Sequence, residues 1–372
     1  MTAHVRLASR IFAGDDGLAE WTVFAKNDPR STLVIAGAGA SENGVLMGDV
    51  LIAYDNPRIE IQHVDHPRVD QAENLTHILR QDSYSRIVAI GGGSVLDLAK
   101  AALYLESHGE FSTPKRISLS RRPGIQLVAV PTTLSGAEVN PGFGIVEANL
   151  FKKVLWDESL APEVVILHPQ ALKGVPLRLI AASGVNALAH CIEGLYTLAR
   201  DVWCDPLAFD SIERIVRWLP AVKQGPLSPQ ATGELQRASV QAGWVAFGSR
   251  PALHHAICHV LGSRLGVSHA LLNAIMLPHV LDNVPQNAWR DSQDRVIAIF
   301  RKSFPGTPGG IADLTRSFIG HLLDSPVRLR DVWNGQVQIS EVAETIASQV
   351  LVQNHPVRVT TKDVERLLGG AW

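Results

Sequence analysis

Two observations place this chain in the α/β class with a helical second half. Up to about residue 170, short apolar strands alternate with helical segments and glycine-rich turns; beyond it, helical period continues with no convincing strand. An α/β domain with a parallel sheet is therefore expected over residues 1–170, and an all-helical domain over 171–372. A third observation, five histidines between residues 250 and 283, marks where chemistry is expected.

Composition sets the outer limits. A chain of 372 residues, 46% hydrophobic and only 19% charged, buries a large core and exceeds one typical domain. With 34 Lys and Arg against 36 Asp and Glu, net charge is −2, and no basic run offers a footprint for nucleic acid or an anionic membrane. The first residues lack the apolar core of a signal peptide, and no uncharged apolar stretch reaches the roughly 18 residues that would span a bilayer, so a cytoplasmic protein is expected. Cys191, Cys204 and Cys258 form no CxxC pair and read as buried thiols. Apolar helical surface in such a chain leads to the expectation of a homodimer.

Taken in order, residues 32–38 (TLVIAGA) read as a buried strand ending in a glycine turn, 60–64 as a second strand, and 71–81 as a polar helix. Residues 86–90 (RIVAI) form a strand that runs into Gly91, Gly92, Gly93 and Ser94 and on into a helix. The breaker-rich stretch 107–124 is a loop, 125–130 a strand closed by Pro131, and 154–156 with 164–167 a further strand pair. From residue 176 onward the segments 180–199, 209–222 and 234–247 carry helical period. The last helix opens on the capping-box pattern Thr360-x-x-Asp363 and stops at Gly369 and Gly370.

Three motifs carry chemistry. Glycines between a strand and a helix let backbone N–H groups approach an anion at the positive helix end, with the Ser94 hydroxyl as an added donor; the same pattern also serves as a tight packing turn. Asp97, one turn further on, stands near that end, and Asp97 and Lys100 also read as ordinary surface charges. The PTTLSGAE turn from Pro131 to Glu138 follows a strand and offers three hydroxyls; if both strands are parallel, the two turns converge where α/β sheets bind ligands. Asn186 and His190 share one helical face, as do His255 and His259, and His269 follows a turn signalled by Gly262 and Gly266. Three neutral imidazoles can hold a divalent metal with an open position, and an Asn carbonyl is a poor fourth ligand. Arg250 and Arg264 flank the histidines, either as solvated helix-end charges or as partners for a substrate carboxylate.

In combination and in order, from about residue 30 to 285, these stretches resemble the iron-containing alcohol dehydrogenase family, which shares its fold with dehydroquinate synthase. The resemblance implies NADPH or NADH as cofactor, with its diphosphate on Gly92, Gly93 and Ser94, Asp97 close by, Thr132 and Thr133 along it, and Lys153 reaching its ribose. It places metal positions on Asn186, His190, His255 and His269, and a substrate-side histidine at His259. Metal-dependent members carry Asp where this chain has Asn186, so the only anionic ligand is lost and little or no bound iron or zinc is expected. If a metal binds, His190, His255 and His269 are its ligands.

Within the family the maleylacetate reductase subgroup is most similar, through the GxNAxAH context of Asn186, the HHxxCH run from His254 to His259, and a shortened PTT turn. That subgroup is generally taken to work without a metal. Ala256 and Leu134 depart from it. Gly37 stands where many NAD-using members have Asp; with Ser41 it leaves room for a 2′-phosphate, so NADPH is allowed. The implied function is reduction of a small polar carbonyl compound or unsaturated keto acid by hydride transfer, with His259 or His255 as proton donor. Two rival readings are a dehydroquinate synthase-like lyase using bound NAD and a catalytically silent family member.

Overall fold

Among the described residues, the apolar segments of the first half form eight strands: β1 (Arg10–Ala13), β2 (Thr32–Gly37), β3 (Arg58–Gln62), β4 (Arg86–Gly91), β5 (Gln126–Pro131), β6 (Gly142–Val146), β7 (Lys152–Trp156) and β8 (Val164–Leu167). In this computed structural model, residues 9–64, 66–112, 124–147, 152–323, 328–333 and 338–372 are described. Six strands make one parallel sheet in the order β1-β8-β5-β4-β2-β3. Between the strands run α1 (Gly14–Lys26), α2 (Ala38–Ser41), α3 (Gly44–Leu51), α4 (Val69–Gln81) and α5 (Gly93–His108).

Successive side chains of a strand point to opposite faces, and here both faces are covered. Leu33, Ile35, Ile87 and Ala89 pack with Leu75 and Leu79 of α4 and Leu96 and Leu103 of α5. Val34, Ala36, Val88 and Ile90 pack on the other side with Phe12, Trp21, Leu46 and Val50. Burial on both faces explains why these strands read as continuous apolar runs.

Sheet order also fixes where a ligand can enter. From β2 the chain moves outward to β3, then returns to place β4 on the opposite side of β2. Such a reversal leaves a crevice at the carboxyl ends of the two diverging strands. Gly37 ends β2 and Gly91 ends β4, so both glycine turns lie at this switch point.

Several expectations are corrected. The strand expected at 60–64 runs from Arg58 to Gln62. Residues 154–156 and 164–167 are strands but not partners: β7 pairs antiparallel with β6, whereas β8 sits between β5 and β1 in the main sheet. β6 was hidden because GFGIV carries two glycines, which weaken a strand pattern. β1 is a four-residue edge strand, too short to show a period. Of the loop expected over 107–124, residues 113–123 lie outside the described residues, and α5 extends through His108.

The chain divides into two compact units, Met1–Val175 with Pro226–Gln236, and Pro176–Gly225 with Arg237–Trp372. The segment Pro226–Gln236 belongs to the first unit although it lies within the helical half of the sequence. The second unit has no strand among its described residues. Its helices are α6 (Leu177–Tyr196), α7 (Asp205–Trp218), the later part of α8 (Pro229–Gly248), α9 (Leu253–Leu265), α10 (His269–Leu281), α11 (Arg290–Ser303), α12 (Ile311–Leu323), α13 (Leu329–Val332), α14 (Ile339–Ala347) and α15 (Thr361–Gly370). Helix α6 is buried along most of its length and packs against α7 and α10, as expected of a helix apolar on all sides. The turn before α10 is made by Gly266, at φ +64°, while Gly262 lies inside α9. The three cysteines are free and buried, and no helix among the described residues is long and apolar enough to cross a membrane.

Candidate functional site

The first unit presents two turns in contact. Gly92 caps α5, so the N–H groups of its first turn have no intrahelical partner and the positive helix end is open to an anion. The Thr132 N–H donates to the Gly91 carbonyl at 2.9 Å, joining the turn after β5 to the turn after β4. A Cβ on Gly92 would stand 3.1 Å from Thr133 Cγ2, and one on Gly93 3.1 Å from Ser135 Oγ. Glycine is therefore what lets the two turns close up, and the resulting backbone cradle suits a diphosphate. Gly37 completes the edge, its own Cβ position 3.1 Å from Val95 Cγ2. The Ser41 hydroxyl donates to the Ala38 carbonyl at 2.7 Å.

Two charges described above as surface groups hold this cradle together. Lys100 is fully buried and donates to the carbonyls of Ala137 at 2.8 Å and Gly142 at 3.1 Å. Burial pulls its ammonium down, and Asp97 and Glu138 pull it back up. Asp97 accepts from the Gly144 N–H at 3.0 Å and lies 3.7 Å from the Lys100 ammonium. Both residues thus tie α5 to the 137–144 segment. Lys153, half-buried on β7, donates to the Phe111 carbonyl at 2.5 Å and lies 3.6 Å from Glu147.

The second unit gathers the histidines. His190 on α6 stacks on His255 of α9 with ring centroids 4.4 Å apart and planes at 19°. His269, the first residue of α10, lies 5.8 Å from the His255 ring and 5.1 Å from His259, and His259 lies 6.3 Å from His255. One helical turn carries Asn186 to His190 and another carries His255 to His259, so two helices and the start of a third build one wall. Asn186 and His255 are buried, while His190, His259 and His269 are half-buried. His190 Nδ1 and His255 Nε2 are buried atoms with no hydrogen-bond partner among the described residues. Two such lone-pair sites in one wall fit a divalent cation or the polar end of a substrate.

Electrostatics hold three of the rings here, His190, His254 and His255, neutral. Burial pushes His190 well below its usual range, with further lowering from His255 and His254. Burial and the neighbouring His255 bring His254 to about 4, against a smaller upward pull from Glu193. Burial, then His259, drives His255 down as well. Arg250, exposed and at φ +44°, and Arg264, paired with Glu341 at 3.3 Å, stand at the two ends of the histidine run.

Glu193 is the residue that sequence reading missed. It sits one turn beyond His190 on α6, is 1% exposed, and touches His255 Nδ1 through Oε2 at 2.5 Å. Its Oε1 accepts from the His254 backbone N–H at 2.8 Å and from the Tyr196 hydroxyl at 3.3 Å. The spacing Asn186, His190, Glu193 was the available signal, since all three share a helical face. Glu193, His254 and His255 bring ligating atoms within 4.8 Å of one another. Ligands of a tetrahedral metal stand roughly 3.4 Å apart, so the 2.5 Å Glu193–His255 contact is a hydrogen bond and not a shared ion.

Comparison with known proteins identifies the family. Residues 8–169 match the family described as iron-containing alcohol dehydrogenase, and residues 180–372 match its C-terminal region. Maleylacetate reductase of Sphingobium indicum is 33% identical over 65% of this chain and 62% of that protein. Maleylacetate reductase 1 of Rhodococcus opacus is 29% identical over 88% and 82%. The first of these matches spans less than two thirds of the relative's length. Among solved structures, maleylacetate reductase from Agrobacterium tumefaciens superposes with a TM-score of 0.81 at 22% identity, covering 100% of this chain and 97% of that one. Sulfoacetaldehyde reductase from Bifidobacterium kashiwanohense, in complex with NAD+, gives 0.85 at 20% identity over 100% and 99%. At these identities the superpositions speak for the fold, and with the two matched regions together spanning most of the sequence, the chain belongs to the iron-containing alcohol dehydrogenase family.

Proposed function

We propose that the protein is an NAD(P)H-dependent reductase of a small polar carbonyl compound or unsaturated keto acid, of the maleylacetate reductase kind. The observation that carries the reading is the wall of four imidazoles in the second unit, supported by an anion cradle at the switch point of the sheet in the first. Curated relatives named maleylacetate reductase, at 29–33% identity, support the substrate class.

In this reading the cofactor diphosphate lies on the N–H groups of Gly92, Gly93 and Ser94, with Thr132, Thr133, Asp97 and Lys153 along its length and Gly37 beside its ribose. Bound there, a nicotinamide would supply the hydride for the substrate carbon, with the electron pair of the C=O or conjugated C=C taken up by oxygen. His259 donates the proton that completes the reduction. His259 is favoured over His255 because His255 is buried, held neutral and engaged by Glu193, whereas His259 is half-buried. The amide N–H of Asn186 and ring N–H groups of His190 and His269 would donate to the oxygen and orient it. Should a divalent ion bind, His190, His255 and His269 would hold it, and it would act as a Lewis acid on that oxygen. The reading includes a cytoplasmic homodimer, for which the exposed Leu198, Val202 and Trp203 offer apolar surface; light scattering on the purified protein tests the dimer.

Mixing the protein with NADPH or NADH and a panel of aldehydes and keto acids tests the function. Oxidation of the nucleotide with at least one keto acid is the expected result. Neither binding nor oxidation with any member of the panel would refute it.

A further inference from the structure

We infer that Glu193 is a positioning residue that fixes the tautomer of His255, placing the proton on Nδ1 and leaving Nε2 as a bare lone pair within the histidine wall. The inference rests on the reading of that wall as the catalytic surface. Its structural part stands on hydrogen-bond geometry and on Glu193 being ionised, as its two donors and its place at the N-terminus of α9 favour.

Both oxygens of Glu193 are committed. Oε1 accepts from the backbone N–H of His254, which can only donate, and from the Tyr196 hydroxyl. Helix α9 begins at Leu253, so Glu193 lies at its N-terminus, where unpaired N–H groups and the helix dipole favour an anion. Oε2 is left for His255 Nδ1 at 2.5 Å. A carboxylate can only accept, so His255 Nδ1 must carry the hydrogen, and its neutral ring is then unprotonated at Nε2. That Nε2 atom is buried with no partner among the described residues.

The neighbouring ring agrees with this assignment. His254 Nε2 faces the Asn273 carbonyl at 3.4 Å and donates to it, so His254 Nδ1 is an acceptor and does not compete for Glu193. His254 Nδ1 stands 3.4 Å from His255 Nδ1 and accepts on the side where that atom carries its hydrogen, so Asn273, His254, His255 and Glu193 form one ordered chain. A carboxylate bonded to the far nitrogen of an imidazole raises the basicity of the near one and fixes the ring's orientation. Either a bound cation or the hydroxyl of a substrate would meet Nε2 as an acceptor.

Substituting glutamine makes a specific demand. Glutamine has one terminal oxygen, and the buried His254 N–H requires it, so the amide NH2 must face His255 Nδ1. That donor forces the lone pair onto Nδ1 and moves the His255 hydrogen to Nε2. Nitrogen-15 spectra of histidine-labelled protein, with His255 assigned by comparison with His255→Asn, read the tautomer directly. In the wild type we expect His255 protonated at Nδ1 and bare at Nε2. In Glu193→Gln we expect the opposite tautomer, a kcat lowered roughly 10–100-fold, and an unchanged KM for the nucleotide, which is bound by the other unit. A wild-type His255 protonated at Nε2 would overturn the inference, whether or not the variant folds. So would a Glu193→Gln tautomer identical to the wild type, or a switched tautomer with full kcat. If no substrate is found, the reading of the wall fails on its own account, and the spectra still decide whether Glu193 sets the tautomer.

Discussion

At the residue scale, one glycine and one amide carry the clearest consequences. A methyl group on Gly92 would sit 3.1 Å from Thr133 Cγ2, and Thr133 would have to yield by a few tenths of an ångström toward the cradle. Gly92→Ala should weaken NADPH binding on the order of tenfold, equivalent to about 1.4 kcal/mol, in a fluorescence titration. An unchanged Kd would put the diphosphate elsewhere. Asn186 presents a neutral amide on the same helical face as His190, so Asn186→Asp adds a charge one helical turn from the unpartnered Nδ1 of His190. Zinc titration calorimetry should show tighter binding in the variant; equal affinity would mean that residue 186 does not face the cation.

The histidines and glycines of the candidate site were legible because their residue types are unusual in apolar sequence and their spacing is helical or strand-terminal. Glu193 was not, because a single carboxylate in the run HCIEGLY looks like any solvated helix charge until the N-terminus of α9 is brought over it. Lys100 was misread for the same reason. Its burial depends on the carbonyls of Ala137 and Gly142, far along the chain.

At the element scale, the strands buried on both faces were read to within a residue or two, since a parallel sheet covered by helices leaves an unbroken apolar run. Elements that failed to show were short or glycine-containing, β1 and β6, and β7 pairs antiparallel with β6, its neighbour in sequence, so the pairing was missed together with β6. The last helix is a case where local chemistry sufficed. Thr360 caps α15 by accepting from the Asp363 N–H, and the Asp363 carboxylate accepts from the Thr360 N–H at 2.9 Å and its hydroxyl at 2.6 Å. These bonds, those of the Thr360 side chain foremost, hold the Asp363 carboxyl below its usual value. Thr360→Ala should cost about 1 kcal/mol in chemical denaturation, and no measurable loss would show that α15 contributes little to the cooperative unit.

At the scale of the whole molecule, the division into an α/β part and a helical part was visible from periodicity alone. That Pro226–Gln236 returns to the first unit was not, because the segment is helical like its neighbours and only tertiary contacts assign it. The buried imidazoles give the molecule a predictable response to acid. His254 falls from the ordinary 6.5 to about 4, and His190, His168, His279 and His355 are also lowered, each chiefly by burial. A histidine whose folded pKa is depressed binds protons more readily when unfolded, so its stabilising effect is complete above 6.5 and is lost as pH falls toward 4. Glu193, raised by burial, opposes this with the reverse sign, but a single carboxyl stands against several imidazoles. The melting temperature should therefore fall between pH 6.5 and 4, and a flat or rising profile would mean that these rings are solvated in the folded protein.

The central claim is the proposed hydride transfer from a nicotinamide nucleotide, with His259 as the proton donor. Its most direct test is turnover of an unsaturated keto acid with NADPH deuterated at the nicotinamide hydride position, followed by mass analysis of the product. The account predicts a reduced product carrying one deuterium on carbon, and a strong loss of turnover in His259→Gln with nucleotide binding retained. A product formed without deuterium, or His259→Gln turning over as fast as the wild type, would contradict it.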